Sequence, residues 1–342
     1  MKFVSLLFPI LLSLSCTAQS TTEAQATTGI MFYNLENLFD TIDDPNTDDR
    51  IFLPDADRQW NTEKYEKKLQ QMARVIAEGA NGLPMIVGLC EVENASVLND
   101  LITEPALKNG HYQYIHFDSP DERGIDVALL YNAKLFNLKT SKAIPVHLMQ
   151  NDTVDHTRDI LVVAGTVRGS DDVLQFFINH WPSRSEGEEA SAWKRGEAAV
   201  TLKTAVDSVR KNLKDPHIII MGDFNDTPFD KSISTILGAV PEGGNYAADA
   251  LIDLMADDQQ NGKGSYNYKG KWQALDQIIV SPNLLDGKGA DVNAAEAAWV
   301  KKEWMMFTHP SYGESPNRTY SGTKWYGGFS DHLPVYVPLT VK

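Results

Sequence analysis

Residues 218–228 read IIIMGDFNDTP, so Asp223 and Asn225 directly follow an apolar run. The arrangement recurs along the chain. Asn34 follows GIMFY, Glu91 follows MIVGLC and His180 follows FFIN, while Asp276 precedes QIIVS, and Asp331 and His332 precede LPVYV. Taken singly, each has an ordinary explanation as a cap, a turn residue, a surface group or a satisfied structural histidine. Together, acids, amides and histidines at six strand ends describe a site assembled along one edge of a sandwich. Carboxylate and amide oxygens are hard ligands suited to Mg²⁺ or Mn²⁺. A histidine with an acid partner serves as general acid or base. With a divalent ion, such groups activate water against a phosphoester and offset charge on the phosphoryl oxygens. The sequence has no cysteine cluster or paired-histidine spacing for zinc, no Walker loop, no nucleophile elbow and no dinucleotide fingerprint.

These residues need elements to hold them. Residues 62–79 predict a helix with Tyr65, Leu69, Met72 and Val75 on one face, capped by Asn61 or Thr62 and closed by Gly79. Residues 188–213 predict a second, with Ala199, Leu202, Val206, Val209 and Leu213 on one stripe. Between and after them come strand-like runs: GIMFYN, PMIVGLC, YQYIHF, DVALLY, ILVVAGTV, VLQFFINH, HIIIMG, LDQIIVS and LPVYVPL. Many are apolar without alternation, so both faces of those strands must be covered. Two mixed sheets packed face to face with helices outside satisfy this requirement. At Asp223–Asn225 the expectation is that Gly222 permits a sharp turn. Asp223 and Asn225 then point one way on an extended chain and Phe224 points back into the core.

In order along the chain, YNLEN, CEVEN, RGIDVALLY, NHWPSR, GDFND, LDQIIVS and GGFSDHLPV resemble the motifs of the endonuclease/exonuclease/phosphatase superfamily. The resemblance runs from residue 30 to the C-terminus. It implies a four-layer α-β-β-α sandwich of two mixed, mainly antiparallel sheets flanked by helices. It implies a Mg²⁺- or Mn²⁺-dependent hydrolase that cleaves a phosphoester by in-line attack of water, without a covalent intermediate. By the same resemblance Glu91 would hold the metal, and Asn34 would orient the ligand shell or the phosphate. Asp331 would contribute to a metal position or the water network. Glu36 stands where a relative uses Asp. Asp223 would activate the water, Asn225 would stabilise the transition state, and His180 would stabilise phosphoryl charge or protonate the leaving oxygen. His332, oriented by Asp276, would contact the phosphate or act as base. The pattern leaves open whether Asp223 or His332 is the base.

Arg123 and Arg184 are candidate phosphate ligands, since arginine offers a planar fork of donors, and Arg158 is as readily a structural salt-bridge partner. Trp181 and Trp272 are candidates for stacking on a base, sugar or headgroup. His309 lies in a Gly/Tyr-rich loop expected to rim the pocket. In DTIDDPNTDD, Asp44, Asn46 and Asp48 alternate as in a calcium loop, but Asp49 occupies the position that needs glycine, so a solvated acidic loop is expected.

The formal net charge of −15 disfavours a tight non-specific nucleic-acid binder. An enzyme on nucleic acid remains open beside a phosphatase or phospholipase C-type enzyme on a small phosphoester or lipid headgroup. A third reading is a surface-binding lipoprotein that keeps the fold without catalysis. Lys2 followed by an apolar stretch and small residues reads as a signal peptide over 1–15. Leu14, Ser15 and Cys16 resemble a bacterial lipobox, with Ser13 where Leu is commoner. Lipidation of Cys16 would give a cell-envelope lipoprotein, and cleavage near CTAQS a periplasmic or secreted protein. Residues 16–28 read as a tether, and 29–342 as one catalytic domain. Cys90 is expected to be buried as a small hydrophobe.

Overall fold

The computed structural model describes Met1 and residues 27–342. The signal-peptide reading and Cys16 lie outside the described residues, as does the tether apart from its last two positions. Those two, Thr27 and Thr28, open the first strand, because they pair with Thr340 and Leu339.

One sheet contains β1 (Thr27–Leu38), β2 (Ile86–Val92), β3 (Tyr112–His116) and β4 (Asp126–Asn132). The second contains β5 (Phe136–Ile144), β6 (Ile160–Val167), β7 (Val173–His180), β8 (His217–Asp223), β9 (Ala239–Pro241), β10 (Leu251–Asp253) and β11 (Asp276–Val280). The chain then returns to the first sheet with β12 (Ala290–Val292), β13 (Ala298–Trp299) and β14 (Val335–Val341). The first sheet runs β12-β14-β1-β2-β4-β3, with β13 also on β14, and the second runs β9-β10-β11-β8-β7-β6-β5. Most neighbours are antiparallel; β1 with β2, β7 with β8 and β9 with β10 are parallel.

The continuous apolar runs divide between two faces. In β8, Ile219 and Met221 enter the main core, while Ile218 and Ile220 enter a second cluster. Ile278 and Ile279 of β11 divide likewise, as do Phe176 and Phe177 of β7. The second cluster is covered by α2 (Glu188–Asn212) through Ala198, Ala199, Leu202 and Val206. Val209 packs only partly, and Leu213 is exposed beyond the helix end. Against the first sheet, α1 (Thr62–Glu78) buries Leu69, Met72, Val75 and Ile76, and the Asn61 side chain caps it by accepting from Lys64 N. Each fully buried Leu or Ile contributes roughly 1.5–3 kcal/mol relative to exposure. This four-layer α-β-β-α sandwich, with two mixed, mainly antiparallel sheets, is the expected architecture.

Candidate active site

Strand direction brings the polar residues together. β1 and β2 are parallel and finish near Asn34 and Glu91, while β7 and β8 are parallel and finish at His180 and Asp223. β11 and β14 run antiparallel to these neighbours, so their beginnings, Asp276 and the Asp331–His332 segment, reach the same edge. Asp223 is in register with His180 on one side and Asp276 on the other. These residues meet at a cavity of about 710 Å³ whose lining includes Glu91, His180, Asp223, Asn225, Asp331 and His332.

The backbone is bent at the cavity. β1 is irregular between Asn34 and Leu38, and beside it β2 is irregular between Cys90 and Val92. Glu36, Asn37, Glu91 and Asn225 have φ of 48°, 60°, 59° and 50°, in the left-handed region that costs non-glycine residues energy. All four line the cavity. Bulges re-aim side chains at such edges. Here they turn the Glu91 carboxylate inward, where it accepts from Asn34 Nδ2 (3.2 Å) and Asn37 N (2.9 Å).

Two details at GDFND differ from the expected geometry. Gly222 does not have a positive φ, so it does not supply a turn. A Cβ there would meet Asn179 O at 2.5 Å, so glycine is needed for close passage of β8 beside β7. Asn225 is left-handed rather than extended, and its N–H donates to Asp223 Oδ1 at 2.9 Å. Its Nδ2 donates to Trp181 O at 3.0 Å. Phe224 does turn into the core, edge-on to Trp181 with centroids 4.8 Å apart.

Asn34 is fully buried and donates to both Glu91 and Asp223 Oδ2, the latter at 3.0 Å. Its Oδ1 accepts from Glu36 N at 2.9 Å, and a flipped amide would face its oxygen against two carboxylates. Asn34 therefore orients the carboxylates, with its own oxygen engaged by Glu36 N. The loop before β14 is fastened to the end of β1: Ser330 Oγ donates to Asn34 O at 2.7 Å and accepts from His332 N at 3.1 Å.

The two histidines differ. His332 Nδ1 lies 2.6 Å from Asp276 Oδ2, and its Nε2 lies 3.8 Å from Asp223 Oδ2. Burial opposes a charge on His332, but Asp276 and Asp223 outweigh it and hold the pKa well above the usual histidine range. His180 Nε2 lies 3.8 Å from both Glu91 Oε1 and Asp223 Oδ2. Its Nδ1 has no hydrogen-bond partner among the described residues. Burial, then Arg158, Arg123 and His332, push its pKa well below the usual range.

The donor set fits a divalent cation. The Glu91 pKa is raised by burial and then by Asp331, and Glu36 is pushed to about 7 by the same two causes. Carboxylates crowded at a cavity wall are what a hard cation neutralises. Glu91 and Asp331 are the residues that would hold it, although Asp331 is already paired with Arg318 Nη2.

The other sequence candidates separate. Arg123 lines the cavity and pairs with Asp121 at 3.3 Å. Arg184 also lines it, but its guanidinium donates to Asn225 O, Asp226 Oδ1 and Asp230 Oδ2, so it fastens the loop after β8. Arg158 is a buried clamp on Asp121, His180 O and Trp181 O. Trp181 is buried beneath the edge, and Trp272 lies outside the cavity, in a groove with Trp299 and Lys301. His309 also lies outside it and stacks on Tyr312. Sequence reading missed Arg318 and Tyr266. Arg318 ties Glu36 to Asp331, and the Tyr266 ring lies 4.9 Å from that of His332. Arg318 sits in a loop and Tyr266 on a three-residue strand too short to show periodicity; their only signal is proximity in sequence to the SDH and LDQ segments.

Comparison with solved structures shows the same fold. An endonuclease/exonuclease/phosphatase family protein from Bacteroides thetaiotaomicron superposes with a TM-score of 0.57 at 15% identity, covering 93% of this chain and 96% of that one. A humanized D. rerio TDP2 gives 0.56 at 14% identity, covering 92% and 98%. The human Nocturnin catalytic domain, solved with a bound sulfate anion, gives 0.53 at 17% identity, covering 93% and 98%. No curated protein matches the sequence. The family model for Endonuclease/Exonuclease/phosphatase proteins matches residues 29–341, and membership supports a metal-dependent phosphoester hydrolase in general. The chain belongs to the Endonuclease/Exonuclease/phosphatase family.

Proposed function

We propose that the protein hydrolyses a phosphodiester with Mg²⁺ or Mn²⁺, by in-line attack of a water activated at Asp223. The observation that carries this reading is the meeting of Glu91, His180, Asp223 and His332 at one cavity from both sheets, with buried Asp276 behind His332. Glu91 and Asp331 would hold the metal, which when bound supplies positive charge against the phosphoryl oxygens. Asp223 is fixed by Asn34 and by the Asn225 N–H, and it takes the proton of the attacking water. Asp223 is preferred over His332 as base on geometry, because its carboxylate lines the cavity held by Asn34 and the Asn225 N–H, although burial raises its pKa. His332 has Nδ1 taken up by Asp276, and Asp276 and Asp223 hold its pKa well above the usual histidine range, which favours the protonated form. It instead faces the phosphoryl charge as an imidazolium, oriented by Asp276. His180, whose pKa is pushed well below the usual range by burial and then by Arg158, Arg123 and His332, favours the neutral form and would offer a ring N–H to a phosphoryl or leaving oxygen. The water oxygen bonds to phosphorus as the leaving oxygen departs with its bonding pair.

The test is a hydrolysis panel in Mg²⁺, Mn²⁺ or EDTA with DNA, RNA, a chromogenic phosphodiester, a phosphomonoester, inositol phosphates and sphingomyelin. Cleavage of one class, lost in EDTA and in Asp223→Ala, is expected. Preference for a small phosphoester would move the enzyme to the phosphatase or phospholipase C-type alternative. Silence from a folded, metal-binding protein would favour the binding lipoprotein. We further propose export and lipidation at Cys16, which rest on residues 1–16 of the sequence; a lipid mass on Cys16 in the membrane fraction is the check.

A further inference from the structure

One wall of the cavity carries a cation that this chemistry does not use. Arg58 lines the cavity with Phe52 and Tyr320, and its guanidinium carbon lies 4.7 Å from the Phe52 centroid and 5.2 Å from that of Tyr320. Its backbone is fixed: Arg58 O accepts from Lys64 Nζ at 2.9 Å and from Tyr320 Oη at 3.0 Å. The next two residues are also held, Gln59 in the left-handed region and Trp60 fully buried with its indole N–H on Phe39 O.

The other arginines on the cavity have carboxylate partners. Arg318 pairs with Asp331 and Glu36, Arg184 with Asp226 and Asp230, and Arg123 with Asp121. The Arg58 guanidinium makes no hydrogen bond or ion pair with any described residue. The nearby Glu36 carboxylate is taken up by Thr319 N and Arg318. A partly buried guanidinium held between aromatic rings leaves its planar edge of donors for a ligand. Holding it there in advance reduces the entropy lost on binding.

We propose that Arg58 forms a subsite for a second phosphate group of the substrate, next to the phosphoester that is cleaved. This rests on the phosphoesterase reading and narrows its substrate class to molecules with two neighbouring phosphates. Such a pair occurs in a nucleic-acid strand and in a small polyphosphorylated molecule.

The test compares wild type, Arg58→Met, which keeps the stem between the rings, and Arg58→Lys, which keeps charge without the fork. Calorimetry in Mg²⁺ measures binding of thymidine 3′,5′-bisphosphate, inositol 1,4-bisphosphate and, as the single-phosphate control, thymidine 5′-monophosphate. Arg58→Met should weaken at least one bisphosphate about tenfold and leave the monophosphate within about twofold, with Arg58→Lys between. The bisphosphate affected identifies the source. Equal loss for all three ligands, or none, overturns the subsite. Hydrolysis of bis(p-nitrophenyl) phosphate and of an oligothymidylate is read in parallel. Turnover without Arg58-dependent binding overturns the subsite alone. Arg58-dependent binding without turnover of any substrate overturns the phosphoesterase reading and leaves the subsite standing.

Discussion

His180 and His332 both sit at strand ends beside Asp223, each with Nε2 3.8 Å from the same carboxylate oxygen, yet they carry opposite charge preferences. The difference lies behind the rings. His332 has Asp276 at Nδ1, a carboxylate that is itself fully buried. His180 has nothing at Nδ1 among the described residues, and Arg158 reaches past it to the backbone. Two imidazoles in one cavity are thus set apart by what each has on its far side, a general route to separate acid and base roles.

The largest expected effect comes from removing the carboxylate they share. Asp223→Asn should lower kcat toward the upper end of roughly 10²–10⁴-fold without unfolding the protein. Near-wild-type turnover in a folded Asp223→Asn protein would remove it as base. Next comes the contrast itself. Asp276→Asn should lower kcat about 10²-fold and move the alkaline limb of the rate profile to lower pH, because His332 loses the group that keeps it protonated. His180→Gln should lower the rate without moving that limb. If both substitutions move it, the two rings are not held in different states.

A smaller effect should appear in stability, measured by denaturant unfolding of metal-free protein across pH. The folded pKa of His332 is raised, so its contribution is complete below about pH 6.5 and lost as pH rises through the folded value. His180 has a lowered folded pKa, so its contribution is present above about pH 6.5 and lost as pH falls. Substituting each by Gln should therefore change the pH slope in opposite directions. A further stability effect concerns Glu91. Its raised pKa means that the ionised carboxylate destabilises the metal-free fold above the folded pKa, a cost that disappears as pH falls through it. Mg²⁺ at about 100 times its Kd should add about 2.7 kcal/mol. Glu91→Gln should raise the metal-free Tm slightly and abolish the Mg²⁺ shift. A full Mg²⁺ shift in that variant would exclude Glu91 from the metal shell.

The strands and the polar residues at their ends were legible because the apolar runs are long and end abruptly. HIIIMGD is such a run: both faces are buried, so alternation vanishes and the first charged residue marks the rim. What stayed hidden depends on contacts far apart in sequence. Nothing in YNLEN announces that Glu36 and Asn37 are left-handed or that a matching irregularity lies beside them at Glu91. Arg184 and Arg58 look alike as sequence. Only the fold turns one onto Asp226 and Asp230 and leaves the other between two rings. Trp272 was a reasonable stacking candidate by type, but its side chain lies in a groove with Trp299 and Lys301, while Tyr266, Tyr268 and Gln273 of the same hairpin line the cavity.

The position of β14 has a kinetic consequence. It is the final strand in chain order, yet it lies inside the first sheet, with Thr340 opposite Thr27 and Val335 opposite Phe32. That pairing closes a loop spanning nearly the whole described chain, the kind of contact that slows folding. Asp331 and His332 arrive immediately before it. An incompletely folded or shortened chain can therefore expose the Glu91 carboxylate and the end of β8 yet lack the imidazolium. By this geometry the complete site requires the last strand to be paired with the first, so fraying of that strand would withdraw Asp331 and His332 from the edge that Glu91 and Asp223 share.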